Sequence, residues 1–342
     1  QYNARAAIPD HPRIFERWRA ESNAARNVLR CESDYYFGPS PDESLDLYPA
    51  TTPNAPLLVF IHGGYWRSLD KQDFSFLAPA FVRAGVAVAM PNYGLAPATS
   101  IEEMVRQMLR AFSWLYRNLP QLGIDTRRIV VAGHSAGAHL AAMMLAADWP
   151  AWSADLPRDL LQGAVCVSGI YDLRPLVRAP FLRADLDLDD KAARRVSPVQ
   201  YQPGLATPLI TAVGADESEE FRRQNRLIRE AWPHCFRHDL PLPDRHHLAS
   251  VEALGESDHP LFHATLRLFG KTSLPLSRAQ CRHWRYAKQA TGEALRSTQR
   301  ARRTSVSSGY KLAIFAPPLI TLRSGRRPPH SNRPSVIKPT PD

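Results

Sequence analysis

The pentapeptide Gly133-His134-Ser135-Ala136-Gly137 lies between a short apolar run at 129–132 and a helix-forming stretch at 138–145. A serine on so tight a strand-to-helix turn is held in a strained backbone with its hydroxyl exposed. The flanking glycines are needed because side chains there would strike neighbouring backbone. Such a hydroxyl becomes a nucleophile once a base can take its proton. Upstream, His62-Gly63-Gly64-Tyr65-Trp66 closes another apolar run at 57–61. Its two glycines let the backbone approach. Gly63 and Gly64, with the amide of Ala136, are therefore candidates to stabilise an oxygen that turns negative in a tetrahedral intermediate.

The acid and then the histidine should follow the serine in chain order. Beyond a strand candidate at 236–242 stand His246, His247, His259 and His263, and the pair His246-His247 occupies the loop straight after that run. One of these two is the expected base. His259 and His263 share the spacing of one helix face, but no third ligand is in view, so they are read as surface residues and no metal is expected. For the acid, the run at 209–213 leads into Gly214-Ala215-Asp216-Glu217. The Gly-x-x-acid spacing favours Glu217, with Asp216 as the alternative. The chosen carboxylate would fix the imidazole tautomer and stabilise the imidazolium.

Residues so far apart need a scaffold that gathers strand ends. Apolar runs at 57–61, 86–90, 129–132, 163–167 and 209–213 alternate with amphipathic stretches, the pattern of a mostly parallel central sheet flanked by helices. Ile101, Met104, Val105, Met108, Leu109, Phe112 and Leu115 recur on one face of a helix over 101–119, and Ser100 with Glu103 predicts a capping box at its start. A helix is expected at 12–29, and an edge hairpin from 45–48 with the residues around Tyr35. A small cap or insertion is expected at 174–203, and a last helix at 262–269. The whole reads as an α/β-hydrolase fold over residues 1–270.

Beyond Gly270 the chain turns Arg-, Ser- and Pro-rich, so 271–342 is expected to be a disordered tail, locally apolar only at 312–322. The net charge of +10 belongs to that tail, which carries 15 Lys and Arg against 2 Asp and Glu. The remaining body is slightly acidic, so the charge does not make it a nucleic-acid-binding domain; only the tail could contribute such contacts. No apolar run approaches the roughly 18 to 20 residues of a membrane span. Residues 1–9 do not read as a secretory signal, which leaves a cytoplasmic location as the expectation. Cys31, Cys166, Cys235 and Cys281 show neither a disulfide framework nor zinc spacing, and Cys166 reads as a core residue. The implied partner is a small-molecule substrate, without metal or membrane. A homodimer is compatible with the sequence.

His62-Gly63-Gly64-Tyr65-Trp66 resembles the signature of the kynurenine formamidase (arylformamidase) family, departing at Tyr65 from the His-Gly-Gly-Gly of related esterases. The resemblance continues through Gly133 to Gly137, through Glu217-Ser218-Glu219-Glu220-Phe221 with Arg223 and Gln224, and through His247-Leu248-Ala249-Ser250-Val251-Glu252. Family members usually carry an aromatic residue where this chain has Leu248. The resemblance implies Ser135 as nucleophile, Glu217 as acid and His247 as base. The implied reaction is hydrolysis of N-formyl-L-kynurenine to L-kynurenine and formate through a formyl-enzyme, with no cofactor. Tyr65 and Trp66 are suited to stacking on the aryl ring. The alternatives are a carboxylesterase of broader specificity and, from another class, a non-catalytic binding protein that works through its basic tail.

Overall fold

The structure, a computed structural model, describes residues 2–271. Its strands are β1 (Glu32–Tyr36), β2 (Ser44–Tyr48), β3 (Ala55–Ile61), β4 (Ala87–Pro91), β5 (Ile124–His134), β6 (Leu161–Val167), β7 (Leu209–Gly214) and β8 (Phe236–Leu242). They form one eight-stranded sheet in the order β1-β2-β4-β3-β5-β6-β7-β8. The first two strands run antiparallel at one edge, as the hairpin reading anticipates, and all later neighbours are parallel.

Along β3, Leu57, Val59 and Ile61 enter the core on one face while Leu58 and Phe60 enter the core on the other. A strand covered on both faces needs apolar residues at every position, which is why the central strands read as unbroken apolar runs. The covering helices are α1 (His11–Val28), α2 (Ala78–Arg83), α3 (Ile101–Asn118), α4 (Ala136–Ala146), α5 (Trp149–Trp152), α6 (Pro180–Leu186), α7 (Asp190–Arg195), α8 (Glu219–Ala231), α9 (His247–Gly255) and α10 (Pro260–Leu268). Helices α1, α2, α9 and α10 supply one core, and α3 to α8 supply the other.

Only half of the expected capping box forms at α3. Ser100 Oγ accepts from the Glu103 amide at 3.2 Å, but the Glu103 carboxylate turns to Arg106 and Arg110 instead of reaching back. A reciprocal box stands at Asp70 and Asp73, ahead of the 3-10 turn Lys71–Leu77.

The chain leaves β3 for β4 on one side, then crosses back to place β5 on the other side of β3. Connections that diverge in this way open a crevice at the carboxyl ends of the two strands. Pairing of β3 with β5 runs in register from Leu57↔Ile129 to Ile61↔Gly133, so the loop beginning at His62 and the turn at Ser135 emerge side by side.

Within 174–203 the sheet gives way to short helical segments, whose Leu176, Leu182, Leu186, Ala193 and Val196 are buried against the α3 to α8 core. Among the described residues no helix is long and apolar enough to cross a membrane, and no group of three or more His, Cys, Asp or Glu is placed to hold a metal. The expectations for the tail, apart from Lys271, lie outside the described residues.

Candidate active site

Ser135 joins β5 to α4 with φ 56° and ψ −117°, a left-handed backbone that a serine adopts only under strain. The surrounding backbone enforces it. A Cβ on Gly133 would fall 2.2 Å from the Gly137 carbonyl oxygen, and one on Gly137 would fall 2.0 Å from that of Ile61. The Ser135 amide donates to the Val167 carbonyl at 2.9 Å, which ties the turn to the neighbouring strand β6.

The structure brings His247 and Glu217 to this serine. His247 Nε2 lies 3.0 Å from Ser135 Oγ, and its Nδ1 lies 2.7 Å from Glu217 Oε2. All three residues are buried. The adjacent histidines have separate tasks: the Nδ1 of His246 accepts from the Ala249 amide at 3.1 Å and caps α9, which starts at His247. The adjacent carboxylates also part. Asp216 is exposed, while Glu217 turns inward. Glu217 Oε1 accepts from the Gly214 amide at 2.8 Å, from Ser250 Oγ at 2.9 Å and from Ser168 Oγ. Burial alone would raise the Glu217 carboxyl, but the His247 imidazole and these donors together bring it down to about 2.

Two further histidines brace the site as neutral rings. His134 Nε2 donates to the His247 carbonyl at 2.9 Å, and burial pushes its pKa down to about 3. His62 Nδ1 donates to the Gly63 carbonyl at 2.8 Å, stacks on Tyr93 with 4.4 Å between centroids, and is pushed down by burial to about 4. Phe221 lies over the His247 ring at 4.3 Å.

Gly63 brings its loop against the serine, since a Cβ there would lie 3.2 Å from Ser135 Cβ and 2.7 Å from the His134 carbonyl oxygen. Gly64 has φ 115°, and a Cβ there would lie 2.0 Å from the Ser68 carbonyl oxygen. Ala136 opens α4, so its amide is one of those a helix leaves without an internal acceptor.

Tyr65 and Trp66 separate in a way the sequence reading does not anticipate. Tyr65 lines the cavity beside Ser135, donates its hydroxyl to the Tyr2 carbonyl and meets Phe181 edge-on at 5.7 Å. Trp66 is fully buried and is not among the residues lining that cavity. Its Nε1 donates to His139 Nδ1 at 3.2 Å, and His139 Nε2 donates to the Val196 carbonyl at 2.6 Å. Of the two aromatic residues expected to stack on a substrate ring, Tyr65 thus reaches the cavity, while Trp66 is enclosed among protein side chains.

The cavity touching Ser135 is small, about 20 Å³, and Arg5, Phe15, Gly64, Tyr65 and Leu248 are in its wall. A second one, about 60 Å³, lies behind His247 and Glu217. Sequence reasoning missed Ser168 and residues 2–8, and it quoted Ser250 without giving it a role. Ser250 carries a usable signal, one helical turn after His247. Ser168 directly follows β6, among strand ends that already supply the other groups, and its φ of 53° marks it as a constrained position. Chemically, the arrangement is a hydroxyl whose proton can pass to an imidazole that a buried carboxylate orients.

Residues 45–149 match the family model BD-FAE. Kynurenine formamidase of Salmo salar is 32% identical over 258 residues, covering 72% of this chain and 85% of that protein. The kynurenine formamidase of Danio rerio is 30% identical over 265 residues, covering 74% of this chain and 87% of its own. In fold, esterase B of Lactobacillus rhamnosis is similar with a TM-score of 0.60 at 20% identity, over 84% of this chain and 98% of that one.

Proposed function

The chain belongs to the kynurenine formamidase family of α/β-hydrolases, and from that premise we propose that it hydrolyses N-formyl-L-kynurenine to L-kynurenine and formate. The observation that carries the proposal is the hydrogen-bonded line from Ser135 through His247 to Glu217. Ser135 Oγ attacks the formyl carbon as His247 Nε2 takes its proton. The carbonyl oxygen becomes an alkoxide held by the amides of Gly63, Gly64 and Ala136. His247 then gives the proton to the aryl amine, the carbon–nitrogen bond breaks and kynurenine leaves a formyl ester on Ser135. Water, deprotonated by His247, attacks that ester and releases formate. Glu217 keeps Nδ1 protonated throughout and stabilises the imidazolium.

A cavity of about 20 Å³ at the serine has room for one water-sized group, which suits a one-carbon acyl group better than a long one. Residues 1–270 form the hydrolase domain in this reading, with 174–203 as a small cap and 271–342 as an appended tail.

The test is a panel run on purified protein: N-formyl-L-kynurenine against 4-nitrophenyl acetate and butyrate, with Ser135→Ala as control. The formamide should exceed both esters in kcat/KM by about a hundredfold or more. The reverse order would make the chain a carboxylesterase of broader specificity. Activity surviving in a folded Ser135→Ala protein would remove the serine from the chemistry.

A further inference from the structure

Residues 2–8 precede α1 and lie across the site. Tyr65 donates its hydroxyl to the Tyr2 carbonyl, the Tyr2 hydroxyl donates to Glu220, and Gln224 Nε2 donates to the Tyr2 hydroxyl at 2.9 Å. Ala4 and Ile8 of the same segment are buried and line the second cavity, with Glu217 and His247 also in its wall. This covering segment brings Arg5 into the wall of the cavity that holds Ser135.

The guanidinium of Arg5 rests over the Phe15 ring, 5.2 Å from its centroid, and donates from Nη2 to Ser68 Oγ at 2.5 Å. Neither partner is an anion. Arg67, whose charge acts on Arg5, is paired with Asp185, but Arg5 has no carboxylate partner among the described residues. Partial burial, and after it the charge of Arg67, lower Arg5 from its ordinary value, so the site holds a half-buried cation that has given up part of its water without gaining a counter-charge. An incoming anion would relieve that cost, and a planar guanidinium matches a carboxylate with two parallel hydrogen bonds.

The space at Ser135 holds an acyl group but no aryl leaving group, since a drug-sized ligand fills several hundred Å³. The leaving group must therefore extend past the enclosed space along its wall, where Arg5 stands with Phe15, Tyr65 and Leu248. From this placement we infer that Arg5 determines specificity by binding a carboxylate carried on the leaving group, so that the site prefers acidic aryl amides and aryl esters to neutral ones. The inference rests on the proposed attack by Ser135, and it extends that reading from the bond cleaved to the charge of the group released.

Two matched pairs test it in the full chain. One is N-formyl-L-kynurenine against 2-formamidoacetophenone, which lacks the amino-acid end. The other is 3-(4-acetoxyphenyl)propanoate against 4-propylphenyl acetate. In the wild type the charged member of each pair should be preferred. Arg5→Gln should lower kcat/KM for the charged members by about ten- to a hundredfold, mostly through KM, and change the neutral members by less than about threefold. Arg5→Lys should fall between them. Calorimetric binding of L-kynurenine against 2-aminoacetophenone gives the same comparison without turnover. Equal losses on both members, or a wild type indifferent to the carboxylate in catalysis and binding, would overturn the inference. Cleavage of the acetates alone, with a charge preference that Arg5→Gln erases, would instead sink the formylkynurenine proposal and leave the role of Arg5 standing.

Discussion

The strand-end loops and the segments that cover them are built on different physical terms. Ser135 and Glu217 follow β5 and β7, and His247 stands a short turn beyond β8; all three are buried and are linked to one another by side-chain hydrogen bonds. Sheet register sets their spacing, so a shift of one would have to break the parallel ladder that holds the others. Residues 2–8 and 174–203 hold their places through short turns, a few apolar anchors and polar contacts at the edge, such as Tyr2 on Glu220 and Arg67 on Asp185. Local opening costs least where few apolar contacts resist it. Under the proposed mechanism the difference teaches a division of labour: the floor would set which bond is cleaved and the cover what is admitted. Substitutions in the floor should thus act on kcat, and substitutions in the cover on KM and selectivity.

The largest expected effect is at the base. His247→Ala should lower kcat by about four to six orders of magnitude, as removal of the base does in other serine hydrolases. His246→Ala should leave kcat within about threefold and cost roughly 1 kcal/mol in urea unfolding, because it removes the α9 cap. Comparable losses in kcat from both would break the separation between a residue that reacts and one that only ends a helix.

Next comes the acid. Glu217→Gln should lower kcat by roughly two to four orders of magnitude, and Asp216→Asn by less than about threefold. The carboxylate also links the floor to pH. Its folded-state pKa is lowered to about 2 from an ordinary 4.5, so its contribution is complete above about 4.5 and is lost as pH falls towards 2. Unfolding free energy, read by urea titration at steps from pH 5 to pH 2.5, should drop by a few kcal/mol more in the wild type than in Glu217→Gln. Parallel curves would mean that the carboxylate gains nothing from its four donors.

A smaller effect is expected at Ser168. Ser168→Ala removes one donor from Glu217 Oε1 and leaves Gly214 and Ser250 in place. The kcat should fall by about three- to tenfold with KM unchanged, the loss from one hydrogen bond of about 1 kcal/mol. A change confined to KM would assign Ser168 to substrate contact instead.

Much of the floor is legible in the sequence because each part answers a local constraint. Gly133 and Gly137 must be glycines where backbone carbonyl oxygens would lie 2.2 and 2.0 Å from an added Cβ, and the central strands must be apolar on both faces. The choice between Asp216 and Glu217 is only half legible: it turns on the Gly214 amide drawing the second carboxylate inward, a contact three residues long. Ser168 and residues 2–8 are not legible in this way, because their roles depend on contacts across 49 residues to Glu217 and 63 residues to Tyr65 and Ser68. No periodicity or spacing marks such pairs. The half-formed box at Ser100 has the same origin, since the Glu103 carboxylate answers to an arginine seven residues on instead of to its own helix start.

The smallest effect on turnover, and the sharpest test of where floor ends and interior begins, is expected at Trp66. Its neighbour Tyr65 faces the cavity, yet the Trp66 indole is wholly enclosed and forms the first link of a chain through His139 to the Val196 carbonyl within the 174–203 segment. Trp66→Phe keeps an aromatic ring but removes the Nε1 donor, leaving His139 Nδ1 as a buried acceptor without a partner. His139 is held neutral by burial, with its pKa near 4, and its one ring proton is already committed to Val196, so it has no second donor with which to compensate. An unpaired buried acceptor together with the lost volume should cost about 2 to 4 kcal/mol of stability. Because the indole does not reach the space beside Ser135, kcat/KM for the preferred substrate should stay within about threefold at temperatures where the variant is folded. A tenfold or greater loss in kcat/KM with wild-type melting would place Trp66 back against the substrate, and the boundary between what holds the loop and what reads the ligand would have to be redrawn between Trp66 and His139.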